Sequence, residues 1–208
     1  VIATCFTKLS DYIVRMTEAH KLDDKLNGQL LIAMPGMNDP RFHKAVIYIC
    51  SHSPDGAMGL VINHPHGHLK FDDLLHQLQI SREASSAAKV DVLAGGPVEP
   101  GQGFVLHSPD YHRDGATVSV DSGIHLTATL DVLQALAKGD GPRKALFALG
   151  YAGWGPGQLE GELRANAWIT CPADAKLVFA HDHSAKYAAA LASIGIDSQM
   201  LMAEAGHA

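Results

Sequence analysis

The stretch LGYAGWGPGQLEGELRANAW, Leu149–Trp168, sets Gly150, Gly153, Gly155, Pro156 and Gly157 between an apolar run and a charged one, with Tyr151, Trp154 and Trp168 among them. A phosphate loop, a catalytic turn and a plain strand-turn-helix junction all have this look. A phosphate loop needs inward-pointing amides followed by Lys and a hydroxyl residue, and neither follows here. The Gly153, Gly155, Gly157 spacing does not fit G-x-G-x-x-G. Pro156 removes a donor, and Glu160 and Glu162 bring to the helix start the negative charge that would repel an anion. The stretch therefore reads as a strand, a turn and a helix. Pro156 takes the first helical position, Leu159 and Leu163 form an i, i+4 apolar pair, Asn166 closes the helix and Trp168 opens the next strand.

Working outward, the run ALFALGYAG, Ala145–Gly153, is too continuously apolar for a half-exposed strand and belongs in a sheet interior. Upstream, residues 28–36 and 44–52 read as strands, the second placing Val46, Tyr48, Cys50 and His52 on one face. The turn residues SPDGAMG join it in a hairpin to a third strand at 58–63. Phe71, Leu74, Leu75 and Leu78 have the spacing of one helix stripe. VDVLAGGP, GFVLHS and ATVSV read as short strands. A helix runs from Thr129 through Leu130, Leu133, Leu136 and Ala137 to a stop at Gly139. Downstream, AWITCP and AKLVF read as strands, and a last helix from Ser184 carries Tyr187, Leu191 and Ile194 to Gly195. Strands and helices alternate without a βαβ rhythm, so the fold class is α+β.

The 208 residues, 47% hydrophobic and 18% charged, suit one domain with a sizeable core. The formal charge of −6 and the scattered Lys and Arg residues argue against nucleic acid and acidic membranes as partners. Cys5, Cys50 and Cys171 form no C-x-x-C pair and read as reduced thiols, which points to the cytoplasm. No apolar run reaches the length of a membrane span. Residues 1–25 match no motif and are taken as an N-terminal extension, within which Met16 suits a natural start, with 26–200 as the domain and 201–208 as a tail.

Four groups of residues carry chemical possibilities. Tyr151, Trp154, Gln158, Glu162 and Asn166 either line a surface cleft for a peptide or small molecule, or supply ordinary core and corner aromatics. Cys50 and His52, two apart on one strand face, are candidates for a thiolate and its base, against the plainer reading of a buried thiol and a hydrogen-bonded imidazole. His64, His66 and His68, with His181 and His183, are ligand types for zinc, nickel or copper, but lack the spacings that fix a metal site. Asp121, Ser122 and His125 have the residue types of a hydrolase triad, without a G-x-S-x-G turn anywhere in the chain.

The segments GQLLIAMPGMNDPRFHKAVIYICSHSPDGAMGLVIN, LAGGPVEPGQGFVLHS, LTATLDVLQALAKGDGPRKALFALGYAGWGPGQLEGELRANAWITCPA and SIGID, between Gly28 and Asp197, together resemble the AlgH/YqgE family of bacterial proteins. The resemblance implies a single α+β domain, a bifurcated mixed β-sheet curled into a pseudo-barrel with flanking helices. It implies no cofactor and no particular reaction. Family members are frequently labelled transcriptional regulators, yet no helix-turn-helix or basic recognition helix is visible here. The motif positions present are Met34, Pro35, Asp39, Pro40, Phe42, His52, Gly59, Asn63, Gly95, Gly96, Pro97, His107, Tyr151, Trp154, Gln158, Glu162 and Asn166. Gln102 departs from the arginine usual before the Gly-Phe pair, and Lys186-Tyr187 from the usual Arg-Trp. The expected function is that of a non-enzymatic regulatory or interaction module, whose cleft around Trp154 and the Gly95–Pro97 turn contacts another protein. The alternatives are a hydrolase or transferase using Cys50 and His52, and a direct DNA-binding regulator.

Overall fold

The run from Ala145 to Trp154 is the trunk on which the rest of the sheet is hung. The computed structural model describes residues 26–197, apart from 38, 84, 85, 87, 88 and 122. The N-terminal extension 1–25, the tail 201–208, Cys5 and Ser122 lie outside the described residues. In chain order the strands are β1 Gln29–Ala33, β2 Val46–Ser53, β3 Gly56–Val61, β4 Asp91–Ala94, β5 Val98–His107, β6 Thr117–Ser119, β7 His125–Thr127, β8 Ala145–Trp154 and β9 Trp168–Pro172. The helices are α1 Phe71–Gln77, α2 Leu130–Lys138, α3 Gln158–Arg164, α4 Ala175–Val178 and α5 Lys186–Ala192.

Among the described residues the nine strands follow the order β6-β7-β5-β8-β3-β2-β1-β9, with β4 branching from β8. The first half of β8 lies between β4, parallel, and β5, antiparallel. Its second half pairs with β3 instead. The sheet is therefore mixed and forks at β8. Buried on both sides, the trunk has the unbroken apolar character of an interior strand.

The fork depends on two glycines. Gly150 (φ +70°) and Gly96 (φ +155°) bring two backbones together where no side chain fits: a Cβ on Gly96 would sit 2.1 Å from the carbonyl carbon of Tyr151, and one on Gly150 2.4 Å from the carbonyl oxygen of Gly96. Between the branches, Gly95 N–H donates to Leu149 O and Gly95 O accepts from Val61 N–H, which wedges the Gly95–Pro97 turn between β3 and β8.

The sheet curls. One core cluster joins Leu30 and Ile32 of β1, Cys171 of β9 and Leu126 of β7, strands from both ends of the order, and Tyr48 Oη donates across the interior to Asp121 Oδ2 at 2.8 Å. Val178, Tyr187, Ala190 and Leu191 of α4 and α5 fill the open side of this half-barrel. On the outside, α1 and α2 pack over β4, β5 and the start of β8, and α3 covers β1, β2 and β3.

Two local readings change. AKLVF is not a strand: Asp174 accepts the Lys176 N–H and starts α4, whose Val178 reaches the core. Five residues carry too little periodicity to separate strand from helix, and the Asp174 cap was the informative signal. In α3 the helix begins at Gln158 with Gly157 (φ +70°) as its cap, so Pro156 precedes the helix rather than opening it. Asn166 (φ +54°) does close it in the left-handed conformation.

Candidate functional site

Trp154 ends β8 and Trp168 begins β9, with β3, β2 and β1 between these strands in the sheet. α3 spans that gap, anchored by buried Leu159, and carries Glu162 up between the two indoles. Glu162 Oε2 accepts from Trp154 Nε1 at 2.9 Å and from Trp168 Nε1 at 2.7 Å. Its Oε1 accepts from Gln158 Nε2 at 3.0 Å, one helical turn away, and Gln158 Oε1 accepts the Gly155 N–H at 3.0 Å. The rings meet edge to face, Trp154 with Trp168 at 6.0 Å and Phe42 with Trp168 at 5.5 Å. One carboxylate thus gathers the polar ends of the aromatic cluster. It gains three charge-assisted hydrogen bonds and satisfies both indole donors.

Beside this cluster opens a cleft of about 710 Å³. One wall is α3 with Asn166, a second is Gly36, Met37, Asp39, Arg41 and Phe42, and a third is Pro97 and Val98 against Gly153. Arg41 forks onto Asp39: Nε donates to Oδ1 at 2.9 Å and Nη2 to Oδ2 at 2.6 Å. That hydrogen bonding holds the Asp39 carboxyl below its usual range and raises the guanidinium.

Of the residues picked out by sequence, Asp39, Phe42, Pro97, Trp154, Gln158, Glu162 and Asn166 line this cleft. Tyr151 does not line it. It alternates to the other face of β8, packs on the interior cluster and meets Phe104 edge to face at 5.9 Å. Gly95 and Gly96 build the fork behind the cleft. Asn63 is buried, its Oδ1 accepting Val46 N–H and its Nδ2 donating to Lys44 O, both at 2.8 Å, so it ties the end of the hairpin to the start of β2. His107 is wholly buried on β5, away from the cleft. Nδ1–H donates to Ser108 O, Nε2 accepts from Thr127 Oγ1, and burial pulls its pKa down to about 4.

Cys50 and His52 do not meet. A bulge between Ile49 and Ser51 shifts the register, so that His52 stands opposite Ala57 of the outer cluster while Cys50 stays in the interior cluster. His52 Nε2 bonds Glu160 Oε1 at 2.8 Å. Glu160 is held below the usual carboxylate range first by hydrogen bonding at its own helix-start amide and then by His52. Burial pushes the Cys50 thiol up, and that of Cys171 as well, the opposite of what a nucleophilic thiolate requires.

The histidine clusters separate too. His64 donates to His43 O at 3.2 Å, and His66 and His68 sit in the loop before α1. His181 Nδ1 and His183 Nε2 approach Asp91 Oδ2 at 2.7 and 3.2 Å. Among the described residues, no three His, Cys, Asp or Glu side chains converge as metal ligands. Asp121 spends its carboxylate on Tyr48 and on the amides of Gly123 and Ile124, which makes it a turn builder. Among the described residues no helix is long and apolar enough to cross a membrane.

Sequence reading missed Trp168 as half of the indole pair, Met37 and Arg41 on the opposite wall, and Gly153 on the third wall. Only Trp168 carried a signal, a second indole six residues beyond an acidic helix position.

A model of the AlgH-like family matches residues 30–199. A UPF0301 protein of Bradyrhizobium diazoefficiens is 53% identical over 189 residues, covering 88% of each chain. One of Afipia carboxidovorans is 55% identical over 189 residues, covering 88% of this chain and 90% of its own. The solution structure of the AlgH protein from Pseudomonas aeruginosa superposes with a TM-score of 0.72 at 42% identity, over 91% of this chain and 100% of that one. The crystal structure of a Corynebacterium diphtheriae protein, at 19% identity and a TM-score of 0.58 over 78% of this chain and 83% of that one, shares the fold.

Proposed function

Because this chain belongs to the AlgH-like family, we propose that it works as a cytoplasmic regulatory or protein-interaction module whose cleft beside Trp154, Gln158 and Trp168 receives a segment of another protein. The observation that carries this reading is the Glu162 cluster. The cleft's most polar groups already hold one another, in an arrangement that fixes two large aromatic rings as a rigid wall. Both rings are largely buried, Trp154 at 7% and Trp168 at 3% exposure, so they brace the wall from within, and a braced wall has little side-chain entropy left to lose on binding. Among the described residues the two thiols, Cys50 and Cys171, lie elsewhere and ionise only above their ordinary range.

The test exploits Gly36. It is exposed on the cleft wall, and a side chain added there meets nothing within 4 Å. Gly36→Trp is expected to fill the cleft and leave the fold intact. Proteins captured from a bacterial lysate by the immobilised wild type are expected to be lost from the Gly36→Trp column. Identical capture by both, with unchanged thermal unfolding, removes the cleft from the function.

A further inference from the structure

The cleft contains an open strand edge as well as an aromatic wall. Ile62 N–H donates to Val46 O of β2, whereas Val61 N–H turns the other way, to Gly95 O. Carried along β3, this alternation makes Ala57 and Gly59 the residues that bond Trp154 and Ala152 of β8. Gly153, opposite Met58 in the same ladder, therefore directs its N–H and C=O away from β3. β5 does not reach them, because its register with β8 ends at the Val98–Tyr151 pair. Gly153 is exposed, lines the cleft, and has no side chain to shield its amide.

The charge of the cleft supplies the second constraint. Asp39 is matched by Arg41, but the hydrogen-bond partners of Glu162 are two indoles and an amide, all neutral. The wall thus presents one carboxylate without a counter-charge, beside two tryptophan rings. A cationic side chain would be attracted by that carboxylate. A strand edge that offers one donor and one acceptor, next to a carboxylate framed by aromatics, matches a particular kind of chain.

We propose that the cleft receives an extended, basic peptide segment of a partner protein. One of its residues exchanges backbone hydrogen bonds with Gly153, and a neighbouring Arg or Lys side chain reaches Glu162. This rests on the cleft reading above and names its ligand.

The probe is the capped peptide acetyl-Val-Thr-Arg-Thr-Val-amide, titrated into ¹⁵N-labelled full-length protein. Its counterparts carry citrulline, a neutral isostere, in place of arginine, or N-methylated amides throughout. The expected result is movement of the Gly153 amide and of both indole N–H resonances, with binding about tenfold weaker for citrulline and for the N-methylated chain. Glu162→Gln is expected to erase the difference between arginine and citrulline. If that variant misfolds, the citrulline comparison in wild type decides alone. Equal binding of arginine and citrulline peptides, movement of these resonances by methylguanidinium alone with the same affinity, or no movement at millimolar peptide overturns the proposal. If Gly36→Trp still abolishes partner capture in that event, the cleft reading survives and only its basic ligand is lost. If Gly36→Trp leaves capture unchanged, the cleft reading itself is wrong.

Discussion

His107 shows how a single residue can look functional in sequence and prove structural in the fold. Its imidazole closes a chain of donors in which Arg113 N–H meets Thr117 Oγ1, Thr117 meets Thr127, and Thr127 Oγ1 meets His107 Nε2. Every lone pair and proton on the ring is used in the neutral form, so a second ring proton requires the Thr127 hydroxyl to reverse. The folded pKa, about 4, lies below the ordinary imidazole value of 6.5. As pH falls from about 6.5 to about 4 the unfolded chain takes up a proton that the folded chain refuses, so stability falls across that window and the loss levels off below it. The full difference amounts to about 3 kcal/mol for this wholly buried ring. Its ring resonances in an NMR titration should stay in the neutral position at pH 5. A midpoint near 6.5 would contradict the network. The Glu162 carboxylate is the counterpart case: sequence placed it near the cleft, and the structure adds that its partners are indoles.

At the scale of elements, backbone crossings decide more than propensities. The fork of β8 brings Gly96 and Gly150 so close that an added Cβ meets backbone, which has nowhere to move, whereas Gly36 faces open space. Gly96→Ala is therefore expected to lose at least about 3 kcal/mol of stability or fail to fold, while Gly36→Ala changes it by less than about 1 kcal/mol. Urea denaturation of both, with far-ultraviolet circular dichroism as the readout, checks the contrast; equal midpoints would mean the strands do not cross there. The bulge in β2 acts at the same scale. One extra residue at Cys50 moves His52 to the opposite face, so a pairing that strict alternation allows is lost. Nothing in YICSHS marks that bulge, because its cause is the partner strand. α4 is the converse, a helix whose start was written in Asp174 but whose apolar residues alone suited either structure.

Across the whole molecule, Lys186 joins parts that are distant in sequence. Buried to 1% exposure, its Nζ donates to Ile62 O at 2.9 Å and Val178 O at 2.7 Å, and so pins α5 to the end of β3 and to α4. Burial brings its pKa from 10.5 to about 8. Below about pH 8 both states hold the proton, and the folded state bears the full burial penalty. Between about 8 and 10.5 only the unfolded chain keeps it, so the stability of wild type relative to Lys186→Met should rise through that window and then level off. Urea titrations of both proteins at pH 7 and pH 10 measure the difference; a gap that stays constant or moves the other way would place the ammonium in water. By itself the sequence determined the α+β class, the interior trunk strand, the strand-turn-helix unit and the family resemblance, because these rest on local periodicity, turn chemistry and ordered motifs within one stretch of chain. Only the tertiary structure decided that Trp154 and Trp168 share one carboxylate, that Tyr151 and Cys50 turn inward, and that Gly153 opens an edge to the cleft. Those facts depend on which strands lie side by side, and strand adjacency is set by burial and register over the whole sheet, not by neighbours in the chain.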